Sequence, residues 1–199
     1  MTRLTQLMPA LYAALMLVAG CTTTPPTVYY TLAAEPVSRA KPPGEFKGYR
    51  VAIGPATVPA ALDRSQIVLR LSMNQYAISD TQLWSAPLKR EIPRVIADEM
   101  ALLLPAAHVT HVAQSGAQNA DYRVPIDVIH FESGVGQSIR LVAEWRVQNR
   151  AGESLREARS EWTEPVAGTG VSPLINAHRK ALAALAREIA TTLEALPQK

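Results

Sequence analysis

Cys21 is the only thiol in this 199-residue chain, and it stands directly behind Val18-Ala19-Gly20. A lone cysteine has no disulfide partner within its own chain, which leaves modification of the sulfur or a free thiol. The other groups suited to chemistry are dispersed. His108 and His111 are three apart in a strand-like segment, so their rings turn to opposite faces. No cysteine or acidic run beside them completes a metal set, and they read as surface or sheet-edge residues. His130 and His178 stand apart from them and read the same way, and Asp63, Asp80, Asp98 and Asp127 are scattered. No Gly-x-Ser-x-Gly elbow is present. Gly134 and Gly136 lie between two strands, where a hairpin turn accounts for them, and no helix follows to make a phosphate loop. These residues point away from catalysis, and neither a metal nor a dissociable cofactor is expected.

The surroundings of Cys21 favour modification. Arg3 is a short positive start, and Leu7 to Ala19 is an apolar stretch led by Leu11, Leu15, Met16 and Leu17. The stretch falls short of the roughly 20 residues that span a bilayer and suits the core of a signal peptide. Val18, Ala19, Gly20 and Cys21 resemble the bacterial lipobox. That resemblance implies cleavage after residue 20, with a diacylglycerol on the Cys21 sulfur and an acyl chain on its new amino group. Two or three chains hold a protein stably where one is marginal. In lipoproteins of Gram-negative bacteria an Asp after the cysteine favours inner-membrane retention. Thr22 stands there and favours the periplasmic face of the outer membrane.

The elements that follow have to position anything else. Residues 21–28 form a lipid anchor and polar tether that includes Pro25 and Pro26, a composition that stays extended. Strands are expected at Val28–Leu32, within Phe46–Val58, at Ile67–Ser72 and at Tyr76–Ile78, and Glu35–Gly44, with three prolines, reads as a loop. In the second strand, Tyr49, Val51 and Ile53 alternate against Arg50 and Ala52. Ser85-Ala86-Pro87 opens a helix, with Ser85 as a polar cap and Pro87 in the first turn, and its face is Leu88, Ile92, Val95, Ile96, Met100 and Leu103. Pro93 lies inside it, and Pro105 ends it. A weak strand covers His108–Val112 and a better one Tyr122–Phe131. Gln137–Gln148 is the clearest: Ile139, Leu141, Ala143, Trp145 and Val147 point one way, and Arg140, Glu144 and Arg146 point the other. Asn149 to Gly152 turns the chain into a return strand over Glu153–Thr163. Ser172-Pro173 opens a last helix with Leu182, Leu185, Ile189, Leu193 and Leu196 as its stripe.

Apolar residues make up 48% and charged residues 19% of the chain, a globular balance. The formal charge of +3 is too small to imply nucleic acid, and no basic cluster with interleaved aromatics exists. The expectation is one α+β domain over residues 29–199, a largely antiparallel or mixed β-sheet with two main helices on one face, after a signal peptide at 1–20.

From Tyr49 to Leu104 several short motifs follow in order: Val51-Ala52-Ile53-Gly54-Pro55, Val58-Pro59, Leu62-Asp63-Arg64-Ser65-Gln66-Ile67-Val68-Leu69-Arg70, Tyr76, and Trp84-Ser85-Ala86-Pro87-Leu88. Tyr29-Tyr30-Thr31-Leu32 precedes them. The pattern resembles the PqiC/YmbA family of ABC-type transport auxiliary lipoproteins. The resemblance implies a non-enzymatic subunit of a lipid transport system that maintains outer-membrane integrity. Its partners would be an MCE-domain tunnel protein, ABC and permease components, membrane lipid and further copies in a homo-oligomer.

Read from the residues alone, the loop from Val58 to Arg64 mixes apolar groups, a proline and a charge pair, as contact loops do. Asp63 and Arg64 are candidate partner contacts or a local turn-stabilising pair. Gln66 and Arg70 are candidates for polar specificity. Trp84 is an interface anchor or a core residue under the first helix. Arg140, Glu144 and Arg146 read as a solvated sheet face. The alternatives left open are a lipid carrier with a cavity in its own fold, an envelope hydrolase, and a structural lipoprotein of another outer-membrane machine.

Overall fold

The computed structural model of the chain describes residues 25–32, 48–72, 74–134 and 138–196. The signal segment, the lipobox Val18-Ala19-Gly20-Cys21, the loop expected at 35–44 and Gly136 lie outside the described residues.

The elements run in the order β1 (Val28–Tyr30), β2 (Arg50–Thr57), β3 (Gln66–Ser72), β4 (Gln75–Trp84), α1 (Leu88–Leu103), β5 (His108–His111), a 3-10 turn (Ser115–Asn119), β6 (Tyr122–Gly134), β7 (Ser138–Asn149), β8 (Ser154–Pro165) and α2 (Val171–Glu194). Together the strands make one mixed sheet of eight, which is the α+β domain expected from the sequence. Its axis is the long strand β6. Antiparallel β7 runs along one edge of β6, from Tyr122 opposite Asn149 to Ser133 opposite Ile139. The other edge is shared. Parallel β2 takes the first half, from Val51 opposite Tyr122 to Thr57 opposite Asp127. Parallel β3 takes the end, with Leu69 opposite Ser133 and Arg70 opposite Gly134. The sheet therefore forks: β5 lies outside β2, while β4 and then β1 lie outside β3.

Backbone chemistry explains an irregularity at the fork. Gly54 and Pro55 on β2 together oppose the single residue Pro125 on β6. Neither proline has an N–H to give the ladder, and Gly54 takes φ +99°, so the extra residue is absorbed as a bulge.

Strict alternation does in β7 what it predicts. Ile139, Leu141, Ala143, Trp145 and Val147 are buried, while Arg140 and Glu144 are exposed. Val142 breaks the pattern in sequence and is also fully buried, between His130 and Glu161 on the flanking strands. Both helices cover the core face, α1 over β2 and β5 and α2 over β7 and β8. The α1 face buries Leu88, Ile92, Val95, Ile96 and Met100 as expected, while Leu103 is 40% exposed at its end. In α2, Leu182, Leu185, Ile189 and Leu193 are buried, and Leu196, just past its end, is half-buried.

Four local readings are corrected. Ala52 is fully buried, because the 3-10 turn lays Ala117 and Ala120 over the second face of β2. Pro87 itself caps α1 without a side-chain hydrogen bond, so Ser85 is no cap; Gly170 caps α2. β4 runs on to Trp84, past polar residues that mark a half-exposed strand. His178 is a core residue, 2% exposed, and belongs to neither surface nor sheet edge. The expected hairpin turn does form: Asn149 Oδ1 accepts from the amides of Ala151 and Glu153, and Gly152 supplies φ +85°.

Candidate functional site

The loop between β2 and β3 is fixed by its own backbone. The Pro59 carbonyl accepts from the amides of Leu62 and Asp63 at 2.8 and 3.1 Å, and Leu62 is buried beneath. This leaves Asp63 and Arg64 exposed at the start of β3, with Asp63 Oδ2 accepting from Lys89 Nζ at 3.3 Å on the first turn of α1. Gln66 is next, half-buried and opposite Leu83. Trp84 lies below, in the core: it is 6% exposed, stands opposite Tyr30, and meets the His178 ring edge-on at 6.1 Å between centroids. Its amide donates to Ser65 O at 2.6 Å and so ties the loop to the end of β4. Asp63, Arg64, Gln66 and Trp84 thus share one corner, where only the first three offer a partner polar surface.

Arg70 is elsewhere, at the far end of β3. Its guanidinium donates to the Glu132 carboxylate on β6 and to the Tyr76 hydroxyl on β4 at 2.8 Å. The Tyr76 hydroxyl in turn donates to Glu132 Oε1 at 2.9 Å, and His130 Nδ1 is 3.8 Å from the same oxygen. Burial opposes ionisation of Glu132, yet the hydrogen bonds from Arg70 and Tyr76 outweigh it and hold the carboxyl below its ordinary value. Sequence reasoning missed both partners: Tyr76 faces Arg70 across the β3–β4 hairpin, and Glu132 is brought in only by the parallel register of β3 on β6.

A third polar group ties the start of the domain to α1. Glu91 is 6% exposed and accepts from Thr31 Oγ1 and from Arg94 at 2.9 and 2.8 Å. Burial alone would raise its pKa. The bonds from Arg94 and Thr31, with the Arg94 charge and the Leu32 amide, bring it below its ordinary value. The signal was in the helical spacing: Glu91 falls three after Leu88 and four before Val95, on the apolar face.

Other described charged groups pair across the exposed face of β6, β7 and β8, as Arg140 with Glu161, Arg146 with Asp127 and Arg159 with Glu144. His108 and His111 line the edge strand β5, as expected of sheet-edge residues. His178 is held neutral by burial, down to about 4 against the pull of the Leu174 and Phe131 carbonyls. Among the described residues no group of three His, Cys, Asp or Glu is placed to hold a metal ion. No described helix is long and apolar enough to cross a membrane.

Comparison with known proteins decides the family. Residues 30–190 match the family described as ABC-type transport auxiliary lipoprotein component. The chain belongs to that family. The auxiliary lipoprotein is thus a component of an ABC-type transport system, anchored in the envelope as a lipoprotein. No curated protein matches it. Among solved structures, one of an uncharacterized protein is 16% identical with a TM-score of 0.70, covering 85% of this chain and 99% of its own. A Xanthomonas campestris protein of the DUF330 family is 14% identical with a TM-score of 0.61, covering 81% and 92%. At such identities the likeness is one of fold. The PelC dodecamer from Paraburkholderia phytofirmans is looser still, 12% identical with a TM-score of 0.41 over 69% of this chain and 86% of its own. Its assembly carries no argument for this auxiliary lipoprotein.

Proposed function

We propose that this auxiliary lipoprotein is a non-catalytic subunit of an MCE-type lipid transport system, held at the periplasmic face of the outer membrane by acyl chains on Cys21. The observation that carries the reading is the family match, which begins at residue 30, just past the cysteine and its short tether. Thr22 in place of an aspartate supports the outer membrane over the inner. The exposed corner of Asp63, Arg64 and Gln66 is the contact for the MCE-domain protein, and Arg70 with its partners braces the other end of β3. Several copies assemble in a homo-oligomer around the tunnel, and the complex maintains outer-membrane lipid order.

A non-catalytic role is supported by the dispersal of the described titratable groups. The interior also argues against a lipid carrier, since Trp145, Phe131, Ile126, Leu141 and Leu182 fill the space between sheet and helices. To test the proposal, the mature protein is recovered from a detergent extract of its own cells by an affinity tag. Co-recovery of an MCE-domain protein is the expected result. Recovery of cell-wall enzymes with no MCE-domain protein overturns it.

A further inference from the structure

The direction of the chain at β1 says which end of the domain meets the membrane. β1 pairs with β4 in parallel, Val28 opposite Gln82 and Tyr30 opposite Trp84. Residues that precede Val28 therefore enter from the side where β4 begins, which is the turn of the β3–β4 hairpin. Pro25 and Pro26 favour an extended path there. Val28 lies seven positions after Cys21, and Gln82 seven positions after Gln75. At about 3.3 Å per residue both spans are roughly 23 Å, so a straight tether ends level with the hairpin turn.

The hairpin is built for such a place. Ten large apolar side chains are exposed among the described residues, and five of them, Val28, Tyr29, Leu71, Tyr76 and Ile78, belong to β1, β3 and β4. Leu71 is 44% and Ile78 47% exposed. Strand β4 carries no charge from Gln75 to Ser79, and the Arg70 charge is matched by Glu132. The edge strand β8 sets its exposed Leu155 and Trp162 among Arg156, Glu157, Arg159, Glu161 and Glu164, as an edge kept in water should.

We propose that the β3–β4 hairpin, through Leu71, Tyr76 and Ile78, rests in the phospholipid surface that holds the acyl chains of Cys21. The inference rests on the reading of Cys21 as the lipid-bearing residue. It turns the corner of Asp63, Arg64 and Gln66 away from the bilayer, toward the periplasmic space where a tunnel protein would arrive.

The test uses the full acylated protein with one added cysteine, Leu71→Cys or Ile78→Cys, and Leu155→Cys on β8 as a control that is equally exposed. Each is labelled with an environment-sensitive dye and reconstituted in phosphatidylethanolamine–phosphatidylglycerol vesicles. Dyes at 71 and 78 should shift to the blue on reconstitution and lose emission to nitroxide-labelled lipid, while the dye at 155 does neither. Dyes at 71 and 78 that behave like the control, on protein that floats with the vesicles, overturn the hairpin placement and leave the anchor reading standing. Dyes already shielded in detergent, on protein that sediments as an oligomer, assign the hairpin to a second copy and overturn it too. Protein with a bare Cys21 that fails to float takes down both readings.

Discussion

Thr31, the residue after β1, donates its hydroxyl to the Glu91 carboxylate on α1 at 2.9 Å, although the two residues are sixty apart in sequence. The bond fastens the strand that follows the tether onto the helix that covers the core, so a pull on the anchor is resisted beyond three residues of β1. Glu91 also holds Arg94, in a place where its own side chain is nearly out of water. Glu91→Ala should therefore lower stability by about 1–3 kcal/mol, the range for losing hydrogen bonds to a charged group. Urea denaturation at neutral pH measures it. The carboxyl lies below its ordinary value in the folded state, so its contribution is complete above the unfolded carboxylate range and fades as pH falls through the folded value. The gap between wild type and variant should close on acidification.

His178 gives a different pH response. Its ring lies against Phe131 and Trp84, and Nδ1 must carry the hydrogen it gives to the Leu174 carbonyl, since that oxygen only accepts. Burial lowers its pKa from 6.5 to about 4. Between those values the unfolded chain binds the proton that the folded chain refuses, so stability is whole above pH 6.5 and is lost on the way down to about 4. The loss is on the order of 3 kcal/mol. His111 is also held low, by burial first, and adds to the same slope. His178→Leu should flatten the stability profile across that window, read by urea midpoints at stepped pH. An unchanged slope would show that the ring takes up its proton in place.

Two arginines on the same sheet face should behave unlike each other. Arg70 serves Glu132, whose side chain is 11% exposed, whereas Arg140 and its partner Glu161 are both about half exposed. Removing Arg70 leaves a shielded carboxylate with Tyr76 as its main donor. Arg70→Leu should cost about 1–3 kcal/mol, and Arg140→Ala should stay within about 0.5 kcal/mol. Thermal unfolding of the two variants side by side decides the point.

What the sequence made legible follows from range. The strand Gln137–Gln148 and the two helical stripes are local patterns, and β7, α1 and α2 sit where those patterns put them. His178 was within reach by the same logic, since it falls four before Leu182 and seven before Leu185 on the α2 stripe. The last residues of β4 were not, because Asp80, Thr81 and Gln82 are polar residues of a strand whose outer edge carries only the short β1. Tyr76 joins Arg70 locally through the β3–β4 hairpin, but Glu132 reaches them only through a parallel register between strands about sixty residues apart, which no local period encodes. Of the candidate contacts, the turn at Pro59 and the start of β3 bring Asp63, Arg64 and Gln66 together, while strand length carries Arg70 to the other end.

The last prediction concerns the sulfur itself. If Cys21 takes the diacylglycerol before the signal is cut, the enzyme that cuts has no substrate without it. Cys21→Ala should then accumulate as a precursor that keeps residues 1–20 and incorporates no labelled fatty acid, whereas wild type loses the segment and takes up label. Intact mass and radiolabelled palmitate read the two outcomes. The domain should fold alike in both, because β1 begins seven residues downstream and its ties to Trp84 and Glu91 do not involve the cysteine. Efficient processing of the variant would place an ordinary signal peptidase at this site, and the membrane attachment would then need a source other than position 21.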